Sequence, residues 1–168
     1  MNDDEAYQHH QTPLELARLL IPQTPITNND ILFEPFKGEG AFYNNFPAQN
    51  QKVWTEIREG RDYTTDVGQY DWVITNPPFK LDGAGGRTNA FWFLLDYFTD
   101  RARKGVAFLA NDACFCTLTP NRLAKLEEKG WGITKLVVTA VKKWRGRYFY
   151  IVLERGRPTT VSYIPGNF

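Results

Sequence analysis

The chain has 168 residues, 42% of them hydrophobic and 23% charged, with a formal net charge of +1. That length fits one domain of ordinary size, able to bury about 70% of the surface its unfolded chain exposes. Near-neutral charge excludes a basic arm, so any contact with nucleic acid must come from a local patch or from a partner.

The opening MNDDEAYQHH is acidic and polar, and residues 1–10 are expected to be disordered. No apolar run approaches the ~18 residues of a membrane-spanning helix, and no signal peptide is recognisable. Cys114 and Cys116 flank Phe115, and the two histidines, His9 and His10, stand at the terminus. A lone C-x-C without a second ligand pair is not a zinc site, so no metal is expected. Ordinary reduced thiols fit an intracellular location, cytoplasmic or nucleoid/nuclear.

Residues 12–21, TPLELARLLI, read as a helix with Thr12 as N-cap and Pro13 at the first helical position. Next come a short apolar strand at 31–33, a glycine-containing turn and a helix through 40–46. KVWTEI reads as a second strand and DWVITN as a third. A glycine-rich loop follows, then the aromatic helix AFWFLLDYFTDRAR, whose Phe91, Trp92, Leu94, Leu95 and Phe98 read as a core stripe. Strand GVAFLAN precedes the helix PNRLAKLEEKG, with Pro120 near its start and Gly130 past its end. Two last strands, ITKLVVTA and RYFYIVLER, are separated only by the basic turn VKKWRG, so they should pair antiparallel. Alternating strands and helices predict an α/β fold with a mostly parallel sheet, in one domain spanning 1–168. Ligands in such folds bind beyond the carboxyl ends of the strands, at the topological switch point.

The unusual residues fall at those ends. Glu34 closes the first strand and leads through Pro35 and Phe36 to Gly38 and Gly40. Glycines there admit close backbone approach, the following helix N-terminus attracts an anionic group, and the Glu34 carboxylate suits an ammonium. Glu56 ends the second strand, where a carboxylate commonly accepts from ribose hydroxyls. Asp62 and the backbone amide of Tyr63 suit an adenine. After the third strand, Asn76 is steered to extended geometry by Pro77. Pro77 and Pro78 have no N–H, so the tip offers two acceptors, the Asn76 amide oxygen and the Pro77 carbonyl. Two acceptors suit one neutral –NH2 group, and Phe79 adds a face on which a base can stack.

NPPF together with EPFKGEGAF resembles the Rossmann-like, AdoMet-dependent amino-methyltransferases of nucleic acids, especially the adenine N6 type. Asn76 to Phe79 match that family's catalytic tetrapeptide, Asp/Asn/Ser-Pro-Pro-aromatic, in full. Residues 34–40 match its cofactor motif, although Lys37 and Glu39 stand where small residues are common. The likeness runs from about residue 11 to 155. It implies a seven-stranded, mostly parallel sheet with an antiparallel last strand and helices on both faces. It also implies S-adenosyl-L-methionine as cofactor. Thr12, Pro13, Glu34, Pro35, Phe36, Gly38, Gly40, Glu56, Asp62, Tyr63 and Asn76 would contact it. Asn76, Pro77, Pro78 and Phe79 would do the chemistry on an adenine of DNA.

Candidates for holding the nucleic acid are Lys80 and Arg87 in the glycine-rich loop, and Lys142, Lys143, Arg145 and Arg147 in the basic turn. Trp144 reads equally as a stacking wedge or as a packed side chain. No separate target-recognition domain is expected, which leaves room for a protein partner that supplies recognition. Alternatives are an RNA adenine methyltransferase, a protein glutamine methyltransferase, and a non-catalytic AdoMet-binding subunit of a larger assembly.

Overall fold

The computed structural model describes residues 10–66, 68–79, 81 and 89–161. The expected disorder of residues 1–9 and the contacts expected of Lys80 and Arg87 lie outside these residues.

Strands β1 (Ile31–Glu34), β2 (Gln51–Trp54), β3 (Trp72–Thr75), β4 (Gly105–Asn111), β5 (Trp131–Thr139) and β6 (Tyr148–Arg155) form one sheet in the order β2-β1-β3-β4-β6-β5. The pairs β1–β2, β1–β3 and β3–β4 are parallel, and β6 runs antiparallel between β4 and β5. This is the mixed α/β sheet expected, with six strands among the described residues rather than seven. The shortfall lies in the β2–β3 connection. The described residues of this connection, which is only 17 residues long, hold two 3-10 turns, Ile57–Glu59 and Tyr63–Thr65, and leave no room for a strand flanked by crossover helices. Because β1 pairs with β2 on one side and β3 on the other, the strand order reverses at β1/β3. That reversal is the switch point.

Helices α1 (Leu14–Leu20), α2 (Ala41–Asn45), α3 (Asn89–Thr99), α4 (Asp112–Phe115) and α5 (Pro120–Glu128) cover the two faces. Alternation along β3 sorts the core. Trp72 and Ile74 pack with Ala17, Leu20 and Phe42 of α1 and α2, whereas Val73 packs with Phe91, Leu94, Leu95 and Phe98 of α3. Those four α3 residues, spaced i, i+3, i+4 and i+7, are fully buried. Each contributes about 1.5–3 kcal/mol by leaving water. Trp92, expected in the same stripe, is half-buried beneath Arg122 and Lys125 of α5. Gly105 faces Trp72 across the β3–β4 ladder, and the indole occupies the space a Cβ would need. α1 begins one residue later than expected, with Pro13 in the N-cap position and no side chain capping it. Thr12 is therefore not a helix cap. No helix among the described residues is long and apolar enough to cross a membrane.

At the amino ends of the strands, two buried carboxylates tie the sheet together. Asp30 accepts from Thr27 N at 2.8 Å, Thr27 Oγ1 at 2.7 Å, Trp72 Nε1 at 3.1 Å and the Lys104 ammonium. Asp71 accepts from Ile31 N at 2.9 Å and from both arms of the Arg103 fork at 3.0 and 3.1 Å.

Candidate functional site

The opposite edge, at the carboxyl ends of β1 and β3, gathers most of the predicted residues. Glu34 is 2% exposed, and its Oε2 accepts from Tyr43 N in α2 at 2.7 Å. Burial pushes its carboxyl well above the usual carboxylate range, outweighing the Tyr43 hydrogen bond and the Lys37 charge, while Glu56 adds to the rise. The chain reverses between Glu34 and α2 through Gly38 and Gly40, at φ +52° and +84°, a left-handed backbone that favours glycine. Side chains would also collide there, with Gln11 at Gly38 and with Asn44 at Gly40. Pro35 and Phe36 lie within this turn, the Phe36 ring 5.0 Å from that of Tyr63.

Glu56 stands two residues past the end of β2 and joins the same turn. It is 6% exposed, and its oxygens accept from Gly38 N at 2.7 Å and Arg58 N at 3.1 Å. Each carboxylate oxygen has a second lone pair, so capacity for ribose hydroxyls remains. Asp62 initiates the 3-10 turn Tyr63–Thr65, its Oδ1 accepting from Thr64 N and Oγ1 at 2.8 Å each. The Tyr63 ring packs against Tyr97 and Phe98, and burial raises its hydroxyl pKa, with Tyr97 and Asp62 adding to the rise. Beside these residues opens a cleft of about 360 Å³ lined by Thr55, Gly60, Arg61, Thr65, Asp66 and Gly68. None of its lining residues is a predicted site residue.

Beyond β3 stand Asn76, the buried Pro77, and the half-buried Pro78 and Phe79. Asn76 Nδ2 donates to Thr12 Oγ1 at 3.2 Å and to the His10 carbonyl at 3.4 Å. Its Oδ1 is buried and has no hydrogen-bond partner among the described residues. Phe79 touches the core on both sheet faces, and His10 meets it edge-on, with ring centroids 5.3 Å apart. The segment 10–12 thus bridges the glycine turn and the tetrapeptide, Gln11 Oε1 accepting from Glu39 N at 3.0 Å. His10 and Gln11 were not anticipated here, because their spacing in the sequence carries no signal of a contact with residues near 40 and 76.

The turn between β5 and β6 rises from the same edge, about 10 Å from β3 by two strand spacings. It exposes Lys142, Lys143, Arg145 and Arg147. Trp144 is 6% exposed, its ring 4.5 Å from that of Tyr148, so the packed alternative describes it and the wedge does not. Asp112 tethers the turn, Oδ2 accepting from Arg147 N at 3.1 Å. Asn111 caps α4 through Cys114 N at 2.8 Å. Burial pushes the Cys114 thiol up to about 11, whereas Cys116 is exposed.

No protein-family model and no curated protein matches the chain. Solved structures do. The modification subunit assigned to a type I restriction enzyme from Vibrio vulnificus is similar, with a TM-score of 0.63 and 13% identity over 89% of this chain and 45% of its own. The E. cuniculi Mtq2–Trm112 complex, responsible for methylation of the eRF1 termination factor, gives a TM-score of 0.59 and 20% identity over 89% of this chain and 99% of the other. The T. thermophilus 16S rRNA N2 G1207 methyltransferase RsmC, bound to AdoMet and guanosine, gives 0.50 and 17% over 88% and 44%. The chain thus spans about half the length of two of the three. At these identities the shared property is the fold, a Rossmann-like methyltransferase architecture.

Proposed function

We propose that this protein transfers a methyl group from S-adenosyl-L-methionine to the exocyclic N6 amino group of adenine in DNA. The observation that carries the reading is the Asn76 amide oxygen, a buried acceptor at the end of β3 without a partner among the described residues. An unpaired buried acceptor costs about 1–3 kcal/mol, a cost offset when a ligand donates to it. The residues at the switch point fit the cofactor. Glu34, with one hydrogen bond to its carboxyl, suits the ammonium of an amino-acid tail. Gly38 and Gly40 shape a close backbone approach, Glu56 has acceptor capacity for a ribose, and Asp62 with the Tyr63 amide suits an adenine. When bound, the cofactor supplies the methyl group on a sulfonium leaving group.

The chain's own work is to bind and orient the substrate amine. Its lone pair is delocalised into the adenine ring, and attack requires it to become more tetrahedral and positively charged. Two fixed acceptors, Asn76 Oδ1 and the Pro77 carbonyl, favour that charge more in the transition state than in the ground state. The missing N–H groups of Pro77 and Pro78 leave no competing donor at the rim. Phe79 stacks the base, worth about 1–3 kcal/mol. In a duplex the target must first be flipped out at a few kcal/mol, a cost that single-stranded substrate avoids. The four exposed cations of the β5–β6 turn suit the phosphate backbone, with a partner subunit free to add sequence recognition.

The similarity to a restriction modification subunit supports DNA, and the similarity to an rRNA methyltransferase supports RNA as the second reading. The test is to incubate the protein with methyl-labelled AdoMet and single-stranded DNA, duplex DNA, RNA or protein. Label in DNA adenine supports the proposal, and label in RNA alone transfers it to the second reading. Tight AdoMet binding with no label anywhere points to a non-catalytic subunit.

A further inference from the structure

The Thr12 hydroxyl caps no helix and instead accepts from Asn76 Nδ2 at 3.2 Å. The same nitrogen reaches the His10 carbonyl at 3.4 Å, while the amide oxygen stays buried and unpartnered. The two ends of a side-chain amide are nearly equal in shape and opposite in hydrogen bonding. A half-turn about the terminal bond would present an NH2 to the substrate's own NH2, two donors facing each other. What decides the orientation is therefore what grips the nitrogen. The His10 carbonyl can only accept, so it selects the nitrogen on its side, whereas the Thr12 hydroxyl can accept or donate, and His10 itself is exposed while Thr12 is half-buried. Pro77 and Pro78 have no N–H with which to draw the oxygen the other way. Thr12 provides the shorter of the two contacts and precedes Pro13, whose fixed φ limits how far the segment can shift.

We propose that Thr12 is a positioning residue: its hydroxyl anchors the Asn76 amide against the His10 carbonyl, which admits only the nitrogen, so that the oxygen faces the substrate amino group. This rests on the amino-methyltransferase reading of the same site and adds to it a residue that touches neither reacting atom. The resemblance alone assigns Thr12 to the cofactor, so the two roles make different predictions.

The test compares Thr12→Val, which keeps the branched shape without the hydroxyl, with Thr12→Ser, which keeps the hydroxyl. Both are made in the full chain. The readouts are kcat and KM for an adenine-containing oligonucleotide, the Kd for AdoMet, and the NMR contact between the Asn76 side-chain NH2 and the residue 12 side chain. The expected result for Thr12→Val is a fall in kcat of about 10- to 100-fold, as for removal of one orienting hydrogen bond. AdoMet Kd and thermal midpoint should stay near wild type, and Thr12→Ser should restore kcat. A rise in AdoMet Kd with kcat unchanged would overturn the proposal and make Thr12 a cofactor contact. Unchanged kinetics in Thr12→Val, beside an active wild type, would overturn it while leaving the reading of the site intact. A wild type that methylates no nucleic acid would remove the reading and this inference together.

Discussion

Asp30 precedes β1 and Glu34 ends it, and these two carboxylates, 0% and 2% exposed, meet opposite surroundings. Asp30 accepts from a backbone amide, a hydroxyl, an indole and an ammonium. Burial acts to raise its carboxyl, but the hydrogen bonds from Lys104 and Thr27 outweigh it and hold the group below the usual range. Glu34 has the Tyr43 amide alone, and burial dominates. The same contrast holds across β3. Asp71 at its start is gripped by Ile31 and Arg103, whereas Asn76 at its end keeps an acceptor with nothing to bind. One edge satisfies both of its buried carboxylates internally and holds the strands together, leaving only the Asn50 amide oxygen there without a partner among the described residues. The other leaves its buried polar groups partly unsatisfied, which is destabilising by itself and useful only when a ligand arrives.

Substitutions at the two edges should therefore have opposite profiles. Asn76→Ala should lower methyl transfer by about 10²- to 10³-fold, as for loss of one group stabilising transition-state charge. Ligand-free stability should hold or improve in thermal melts, and AdoMet affinity, to which Asn76 is also assigned, should fall far less than methyl transfer when checked by calorimetry. Asp30→Ala should do the reverse, costing about 3 kcal/mol in urea unfolding because the Trp72 and Thr27 donors lose their acceptor in the interior. The half-exposed Lys104 adds little to that figure.

Glu34→Gln tests the site edge through pH. A carboxyl raised in the folded state stabilises fully below its unfolded pKa, about 4.3, and that contribution is lost as pH climbs through the folded value. The ligand-free wild type should thus lose stability with rising pH over this window more steeply than Glu34→Gln. AdoMet affinity should rise over the same window in the wild type, as the carboxylate forms to meet an ammonium, and stay flat in the variant. The smallest effects belong to the β5–β6 turn. Single alanines at Lys142, Lys143, Arg145 or Arg147 should weaken nucleic-acid binding a few-fold and reduce the salt slope by about 0.7–0.9 for each phosphate left without its cation. Trp144→Phe should shift the melting temperature and leave that slope alone.

The edges also differ in how far the sequence revealed them. The strands were readable because β3, β4 and β6 are continuous apolar runs, and the short VKKWRG turn forced an antiparallel end. The tetrapeptide and glycine turn were readable because Pro and Gly constrain backbone wherever they stand. The expected seventh strand failed on length, since the described residues between β2 and β3 hold only two short 3-10 turns, Ile57–Glu59 and Tyr63–Thr65. Contacts between distant residues left no periodic trace. Glu56 on the Gly38 amide, Thr12 on Asn76 and Gln11 over the glycine turn all join segments at least 18 residues apart. The burial of Trp144 beneath a charged turn depends on Tyr148 of β6, and local hydropathy around Lys142–Arg147 points the other way. The amino-edge network was likewise invisible, because Asp30, Asp71 and Lys104 look like surface charges until the sheet brings them together.

The most direct measurement is a crystal structure of the protein with an unreactive AdoMet analogue and an adenine-containing oligonucleotide. The account predicts the adenine amino nitrogen about 3 Å from both Asn76 Oδ1 and the Pro77 carbonyl, with the base on Phe79. An Asn76 oxygen turned away from the bound base, satisfied by another protein group while Phe79 stays closed in the core, would contradict it.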